Sequence, residues 1–291
     1  MPTFQRIFMP DIMPDTPPSI FATGHFYSPV VDPSTLDHAH IWNNRSDLPG
    51  IDLRLQNHID VLTKVFPRWI ADYDYPDAGN PDTPAGFFNH NDQFSWLDAR
   101  LLYVLMRELR PKRMLEIGSG FSTLLAADVV QRFVPECKLR CIEPYPRDFL
   151  VAGIAGVKEV IQQRAQAVEP SVFEALQAGD ILFIDSSHVC KTGSDVNYLF
   201  FEILPRMKPG TYIHVHDIFL PDDYPKQWVI HDNRSWNEQY LLRALLMYSN
   251  RFEVYFGAAY AAAHLGSYVV QALTRPDGYG MGGGSFWIRV K

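Results

Sequence analysis

The sequence predicts an α/β fold with a doubly wound, mostly parallel sheet. Three short apolar runs support this prediction: Arg113–Ile117, Leu139–Ile142 and Ile181–Ile184. Each has the length of a buried parallel strand and is too short for a helix. A helical pattern separates the first two runs, and alternating strands and helices are typical of a sheet covered on both faces. The chain has 291 residues, of which 47% are hydrophobic, so it can bury a sizeable core.

The first 91 residues predict an irregular and helical extension that acts as a cap. Prolines recur through residues 1–50 and favour extended segments and turns. Residues 53–66 carry apolar side chains at helical spacing, and we expect Pro67 to end this amphipathic helix. A polar stretch rich in proline and glycine, 71–91, then marks a boundary. The second predicted domain spans residues 92–291.

The turn after the first strand predicts a nucleoside site. Gly118-Ser119-Gly120 turns the backbone tightly, and the helix that begins near Ser122 points its first amide groups back at this turn. The next strand ends at Glu143, whose carboxylate can accept hydrogen bonds from both hydroxyls of a ribose. These residues together indicate a bound nucleoside.

Two residues argue against a dinucleotide at this turn. A dinucleotide fingerprint has a third glycine, whereas this chain has Thr123 at that position. Glu116, inside the first strand, would repel a diphosphate. It suits a ligand that carries an ammonium group, as S-adenosylmethionine does. The charge pattern therefore favours a sulfonium cofactor.

These motifs resemble those of class I S-adenosylmethionine-dependent methyltransferases. Residues 115–123, Glu143 after the next strand, and 183–188 after a later one are similar in particular to the small-molecule and sugar O-methyltransferases. That branch includes metal-dependent macrolide-sugar enzymes and relatives from cephalosporin biosynthesis. The resemblance covers roughly residue 92 to the C-terminus. It implies a Rossmann-like, seven-stranded sheet with an antiparallel last strand.

The strand ends and the resemblance together give a set of cofactor-binding residues. Gln166 is included because the family contacts adenine just after the third strand, and Asp185 because a strand delivers it to the carboxyl edge, where open α/β sheets bind ligands. The full predicted set is Glu116, Gly118, Ser119, Gly120, Ser122, Glu143, Gln166 and Asp185.

The chemistry of methyl transfer predicts a second group of residues. An alcohol is a poor nucleophile near neutral pH, so its proton must be removed by a base, often with help from a divalent ion. Asp185 and Asp217 end strands that we expect to be neighbours, and both carboxylates could then reach one Mg²⁺. In the resembling enzymes His188 matches the catalytic base, which makes His188 and Asp185 the predicted catalytic residues. An unperturbed imidazole would be mostly neutral there.

The sequence departs from the family pattern after the fifth strand. The resembling enzymes carry an acidic pair there, whereas this chain has His216-Asp217, which leaves the set of carboxylate ligands one short. Whether a metal is required, and whether His188 or His216 is the base, therefore stays open at this point.

Composition limits the partners. A net charge of −7 and a pI near 5.8 argue against nucleic acid. Three cysteines without metal-like spacing, together with an N-terminus that lacks a secretion signal, predict reduced thiols in a cytoplasmic protein. The apolar stretch 252–272 contains Glu253, His264 and Gly266, which disfavours a membrane span of ~20 apolar residues. The expected partner is a small hydroxylated molecule, and the oligomeric state is not predicted.

The predicted function is methylation, by S-adenosylmethionine, of a hydroxyl on a sugar or secondary metabolite. Two alternatives remain open. A nicotinamide-dependent oxidoreductase is disfavoured by Thr123 and Glu116. A non-catalytic scaffold protein that binds a nucleoside cofactor would be separated from an enzyme by a survey of acceptors.

Overall fold

The structure is a computed structural model, and it describes residues 19–43, 45–273 and 282–291. Its centre is a seven-stranded sheet in the order β3-β2-β1-β4-β5-β7-β6. The strands are β1 Arg113–Ile117, β2 Lys138–Ile142, β3 Val157–Ile161, β4 Ile181–Ile184, β5 Tyr212–Val215, β6 Phe252–Gly257 and β7 Phe286–Val290. Strands β1 to β5 run parallel, and β7 lies antiparallel between β5 and β6. The predicted Rossmann-like sheet with an antiparallel last strand is confirmed.

Helices cover both faces of this sheet. They are α1 His38–Asn43, α2 Leu55–Asp60, α3 Phe66–Trp69, α4 Trp96–Leu109, α5 Phe121–Phe133, α6 Asp148–Val151, α7 Pro170–Glu174, α8 Asp195–Tyr198, α9 Lys226–Ile230, α10 Glu238–Leu246, α11 Ala258–His264 and α12 Gly266–Leu273. Turns of π-helix, Val61–Val65 and Leu199–Ile203, continue α2 and α8. Short 3₁₀ turns lie at Pro33–Thr35, Ile70–Asp72, Ala165–Ala167 and Leu204–Arg206. In the described part of the chain, no helix has the length and apolar character needed to cross a membrane.

The expectation that Pro67 ends the helix over 53–66 is wrong. The helical stretch continues through α3 to Trp69, and Pro67 lies in the first turn of α3. The π-helical turn just before it already interrupts the regular hydrogen-bond ladder. Pro67 has no N–H, so the stretch loses one backbone hydrogen bond at this position without leaving the helical conformation.

Period-two alternation assigns the strand residues to two cores. In β4, Ile181 and Phe183 face one core, and Leu182 and Ile184 face the other. The first core also includes Val61 and Phe66 of the N-terminal extension. Part of the extension therefore packs directly on the sheet domain, and the division at residue 91 stays a prediction.

The strand register brings several chain ends to one edge. Ile117 pairs with Ile142 and Ile184, and Ile184 pairs with Val215. The residues that follow these four are Gly118, Glu143, Asp185 and His216. Parallel strands end at the same edge of a sheet, so these residues form its carboxyl edge, where open α/β sheets bind their ligands.

Candidate functional site

Gly118 forms the tight turn at the start of the site. Its φ is +79°, and a Cβ at this position would lie 1.7 Å from the carbonyl oxygen of Asp185. The left-handed backbone favours glycine, and the nearby Asp185 carbonyl leaves no space for a side chain. The turn is further held by a hydrogen bond from the Gly118 amide to the Ile142 carbonyl at 3.0 Å. The glycine turn and Asp185 are thus in direct backbone contact.

Glu143 lies beside the glycine turn. One carboxylate oxygen accepts the amide hydrogen of Ser119 at 3.0 Å, and the other accepts that of Tyr145 at 2.8 Å. Burial raises the pKa of Glu143, while these amide hydrogen bonds oppose the rise. The structure therefore brings Glu143, Gly118, Ser119 and Gly120 together at one edge, as the sequence predicts.

Glu116 and Ser122 lie behind the turn, and the interpretation that Glu116 suits a ligand with an ammonium group stays a prediction. The carboxylate of Glu116 is fully buried and accepts hydrogen bonds from the hydroxyls of Ser122 at 2.6 Å and Thr123 at 2.7 Å. Burial raises the pKa of Glu116 to about 7. Alternation along β1 turns this side chain towards α5, and Thr123, which replaces the third glycine, holds it there. The pair anchors the helix under the site.

Three of the buried polar atoms near the carboxyl edge that lack hydrogen-bond partners within the described residues belong to serine and glutamine side chains. They are the hydroxyls of Ser119 and Ser186 and the amide oxygen of Gln166. The amide nitrogen of Gln166 donates to the Gly193 carbonyl at 3.0 Å. Buried polar atoms are rarely left unpaired, and each such atom calls for an explanation. A polar ligand at this edge would supply partners for them.

Asp185, His188 and Asp217 form the second part of the site. The Nε2 atom of His188 lies 3.4 Å from Oδ1 of Asp185 and 3.4 Å from Oδ2 of Asp217. One ligand atom from each of these residues falls within 4.8 Å of the others. Strands β4 and β5 are neighbours, as the sequence predicts, and this adjacency brings the two carboxylates together.

A third carboxylate, which the sequence prediction missed, completes this cluster. Glu238, at the start of α10, is 1% exposed, and its Oε2 atom lies 2.9 Å from Nδ1 of His188. The carbonyl oxygen of His188 also accepts the amide hydrogens of Asn237 and Glu238. An acid in the first turn of a helix is common on protein surfaces. No local pattern therefore indicates that Glu238 is buried against His188.

The carboxylates of Asp185, Asp217 and Glu238 raise the pKa of His188. Burial alone would lower the pKa of His188, but hydrogen bonds to Asp185 and Glu238 and the charge of Asp217 raise it well above its usual value. The pKa of Asp185 falls to about 2, because the charge of His216 and the hydrogen bond from His188 outweigh the effect of burial. The raised pKa of His188 runs against the expectation of a mostly neutral imidazole, which stays a prediction.

His216 lies at the edge of the cluster. Its Nε2 atom is 3.7 Å from Oδ1 of Asp217, and its ring is buried against Phe94. Burial alone would lower the pKa of His216. The charges of Asp185, Asp217 and Asp98 outweigh this effect, so the pKa is raised. Its Nδ1 atom has no hydrogen-bond partner in the part of the chain that the structure describes.

A long connection, 219–235, follows the residues at the end of β5 and contains α9. The ring of Trp236, just after the loop, is 4.4 Å from the ring of His188, centroid to centroid. Arg234 stacks on Trp228 and on Trp236 at 4.1 and 4.8 Å. The N-terminal segment that contains Trp42 contacts this loop. The Trp42 indole donates a hydrogen bond to the Tyr224 carbonyl at 2.9 Å.

A cavity of about 270 Å³ lies between the N-terminal segment and the loop. Its wall includes Trp42 and Arg45 from the N-terminal segment and Phe219, Asp222 and Asp223 from the loop. Arg45 and Asp222 form an ion pair at 2.7 Å across this boundary. The cavity is thus lined by both aromatic and charged side chains.

Comparisons with known proteins identify relatives of this chain. Residues 115–218 match a family described as a methyltransferase domain. An uncharacterized protein of Archaeoglobus fulgidus is 34% identical over 165 residues, which cover 54% of this chain and 74% of that relative. Identity and coverage of this extent show that the two chains belong to one family.

Two solved structures are more distantly similar. The methyltransferase PaMTH1 of Podospora anserina, in an SAH-bound crystal structure, is 17% identical, with 66% of this chain and 77% of that chain covered and a TM-score of 0.41. An O-methyltransferase of Bacillus cereus in complex with SAH is 16% identical, with coverages of 79% and 90% and a TM-score of 0.41.

Proposed function

We propose that this chain, which belongs to the class I S-adenosylmethionine-dependent methyltransferases, transfers the methyl group of that cofactor to a hydroxyl of a small molecule. One observation carries the hydroxyl assignment. The backbone of Asp185 packs against the glycine turn, while its side chain faces His188 and Asp217. The proposed donor site and the groups able to activate an acceptor are therefore contiguous.

The proposed contacts to S-adenosylmethionine follow the carboxyl edge. Glu143 would hold the ribose, and Gly118, Ser119 and Gly120 would face the cofactor through their backbone. The unpaired hydroxyls of Ser119 and Ser186 and the unpaired amide oxygen of Gln166 support a polar ligand here. Gln166 would then contact the adenine. Glu116 and Ser122, by contrast, would support this site from behind through the start of α5.

Activation of the acceptor is assigned to the cluster of Asp185, His188 and Asp217. These residues fit a divalent cation, since two carboxylate oxygens and an imidazole nitrogen lie within 4.8 Å of one another. Such an ion, when bound, lowers the pKa of a coordinated hydroxyl. Asp185 and Asp217 would hold the ion, for which the sequence suggested Mg²⁺. Asp185 and His188 remain the proposed catalytic residues, because they face the space in which the hydroxyl would lose its proton.

The proposed acceptor is a sugar or another hydroxylated secondary metabolite. The cavity between the N-terminal segment and the loop is one place for it, because Trp42 and Phe219 offer apolar surfaces beside the charged Arg45 and Asp222. The ring of Trp236 next to His188 would limit which hydroxyl approaches.

The exclusion of nucleic acid and a cytoplasmic location belong to the same proposal. The acidic composition supports the first, and the free cysteines Cys137, Cys141 and Cys190 support the second.

The test is a transfer assay with methyl-labelled S-adenosylmethionine and a panel of sugars, glycosylated macrolides and catechols. We expect label in an O-methyl ether, with loss of transfer when the reacting hydroxyl of the acceptor is removed. Cofactor binding without transfer to any of these acceptors would favour the scaffold alternative. Binding of NADH in place of S-adenosylmethionine would favour an oxidoreductase.

A further inference from the structure

The arrangement around His188 restricts which ion the cluster can accept. The Nδ1 atom of His188 faces Glu238 at 2.9 Å, whereas its Nε2 atom faces Asp185 and Asp217 at 3.4 Å each. A buried carboxylate on one ring nitrogen fixes the hydrogen there and directs the lone pair of the other nitrogen outwards. The lone pair on Nε2 is then directed at two acidic oxygens.

That grouping needs a positive charge between its members. Two carboxylate oxygens and a nitrogen lone pair repel one another unless a proton or a metal ion lies among them. Two ligands of one first-row ion lie roughly 3 Å apart, because each metal–ligand bond is about 2.0–2.2 Å long. The two distances of 3.4 Å from Nε2 are close to that separation. His188 is therefore placed to bind any ion that the two aspartates share.

We propose that His188 is the third ligand of this ion, bound through Nε2 and oriented by Glu238, and that the site therefore takes a first-row transition ion such as Co²⁺ or Zn²⁺ in preference to Mg²⁺. The inference rests on the ion site of the proposed function and specifies its ligand set. Mg²⁺ is a hard cation that prefers oxygen ligands and waters. Imidazole suits the softer ions of the first transition series. His188 then replaces the carboxylate that the sequence lacks at position 216, and with both ring nitrogens engaged it acts on the hydroxyl through the ion and not as the base.

The experiment measures ion binding alone, on the full chain after chelator treatment and desalting. Titration calorimetry with Co²⁺, Zn²⁺ and Mg²⁺ gives three association constants. We expect Co²⁺ and Zn²⁺ to bind at least about 100-fold more tightly than Mg²⁺. Equal affinity for Mg²⁺, or no binding of any of these ions at millimolar concentration, would overturn the proposal. The wild-type protein alone decides this, so no variant has to fold.

A substitution tests the nitrogen ligand itself. His188→Asp supplies oxygen in place of nitrogen, and we expect the ratio of Co²⁺ to Mg²⁺ association constants to fall by about tenfold or more. His264→Asn, which removes an exposed histidine at the end of α11, is the matched control and should leave the ratio unchanged. An unchanged ratio in a folded His188→Asp protein would show that nitrogen does not bind the ion.

Spectroscopy adds a readout that a merely structural histidine would not give. In the Co²⁺-loaded protein, the Nδ1 hydrogen of a coordinated His188 should appear as a strongly shifted, exchangeable proton resonance, absent in D₂O and in His188→Asp. Glu238→Gln should lower Co²⁺ affinity by roughly 10- to 100-fold, the range for a partner that orients a metal ligand. Glu159→Gln, at an exposed carboxylate of β3, is its control. These measurements use neither cofactor nor acceptor, so a failure here is distinct from a failure of methyl transfer.

Discussion

His188 and Glu238 lie 50 positions apart in the sequence, and their side chains meet at 2.9 Å in the interior of the protein. The contact joins the segment after β4 to the start of α10. Because the His188 carbonyl also accepts the amide hydrogens of Asn237 and Glu238, backbone and side chain fix the same geometry. The orientation of the imidazole is therefore set by a helix that contributes no other residue to the proposed ion site.

Glu143→Ala should weaken binding of S-adenosylmethionine by about 1.5–3 kcal/mol, the range for lost hydrogen bonds to a charged group. The carboxylate lies at the carboxyl edge, outside both cores, so the fold should persist. Calorimetry with the cofactor gives the difference directly. The control is Glu159→Ala, which removes an exposed carboxylate of β3. Unchanged affinity in Glu143→Ala would remove this residue from the site.

Gly118→Ala should destabilise the protein by about 2–4 kcal/mol, because the new methyl group would overlap the Asp185 carbonyl in a backbone already at positive φ. Gly153→Ala is the matched control. Gly153 has a φ of +88°, but among the described residues no heavy atom lies within 4 Å of the position that the added methyl group would take. Gly153→Ala should lower the free energy of unfolding by only about 1 kcal/mol, from backbone strain alone. Urea denaturation compares the two, and equal losses would contradict the steric account.

Stability should depend on pH through His58. Burial lowers the pKa of His58 to about 4, and its Nε2 atom accepts the amide hydrogen of Gly257 at 2.8 Å. The unfolded chain takes up a proton near pH 6.5, whereas the folded protein does so only near pH 4. Between these values the unfolded state binds more protons, so stability falls as the pH is lowered, by roughly 3 kcal/mol across the window.

The check for His58 is a series of urea titrations from pH 7 to pH 4 on the wild type and on His58→Gln. Glutamine does not titrate, so this part of the slope should disappear from the variant even though its stability at pH 7 is lower. Parallel slopes in the two proteins would show that His58 is not the group responsible.

Removal of the ion should abolish methyl transfer and spare cofactor binding. Chelator treatment takes the proposed ion from Asp185 and Asp217, while Glu143 and the glycine turn keep their contacts. We expect transfer to fall at least about 100-fold and to return when a divalent ion is added. Full activity after chelation, in a protein shown by metal analysis to be free of ion, would assign activation to the side chains alone.

Much of the sheet could be predicted from the sequence because its signals are local. Apolar runs of strand length define β1, β2 and β4, and strand ends place Asp185 and Asp217 at one edge. Those rules need only neighbouring residues and the geometry of parallel strands.

The remaining features depend on tertiary packing. Glu238 reaches His188 from a distant helix, and three carboxylates raise the pKa of that imidazole. No local sequence pattern indicates either effect. The burial of Glu116 could be predicted from the sequence, since alternation places Glu116 on the same strand face as Met114, a residue of the first core. The role of Glu116 still depends on the hydroxyls of Ser122 and Thr123 that donate hydrogen bonds to it.

The position of β7 in the sheet has a consequence for the order of folding. This strand follows every other strand in the chain, yet it lies between β5 and β6, with Trp287 fully buried. As the chain leaves the ribosome, β5 therefore has an open edge until residues 286–290 emerge. Until then Asp217 also lacks its neighbour Gly284, whose carbonyl accepts the amide hydrogen of Ile218 in the folded protein. The acidic cluster can reach its final geometry only after synthesis has passed this strand, and until then the exposed edge is a place where nascent chains could pair with one another.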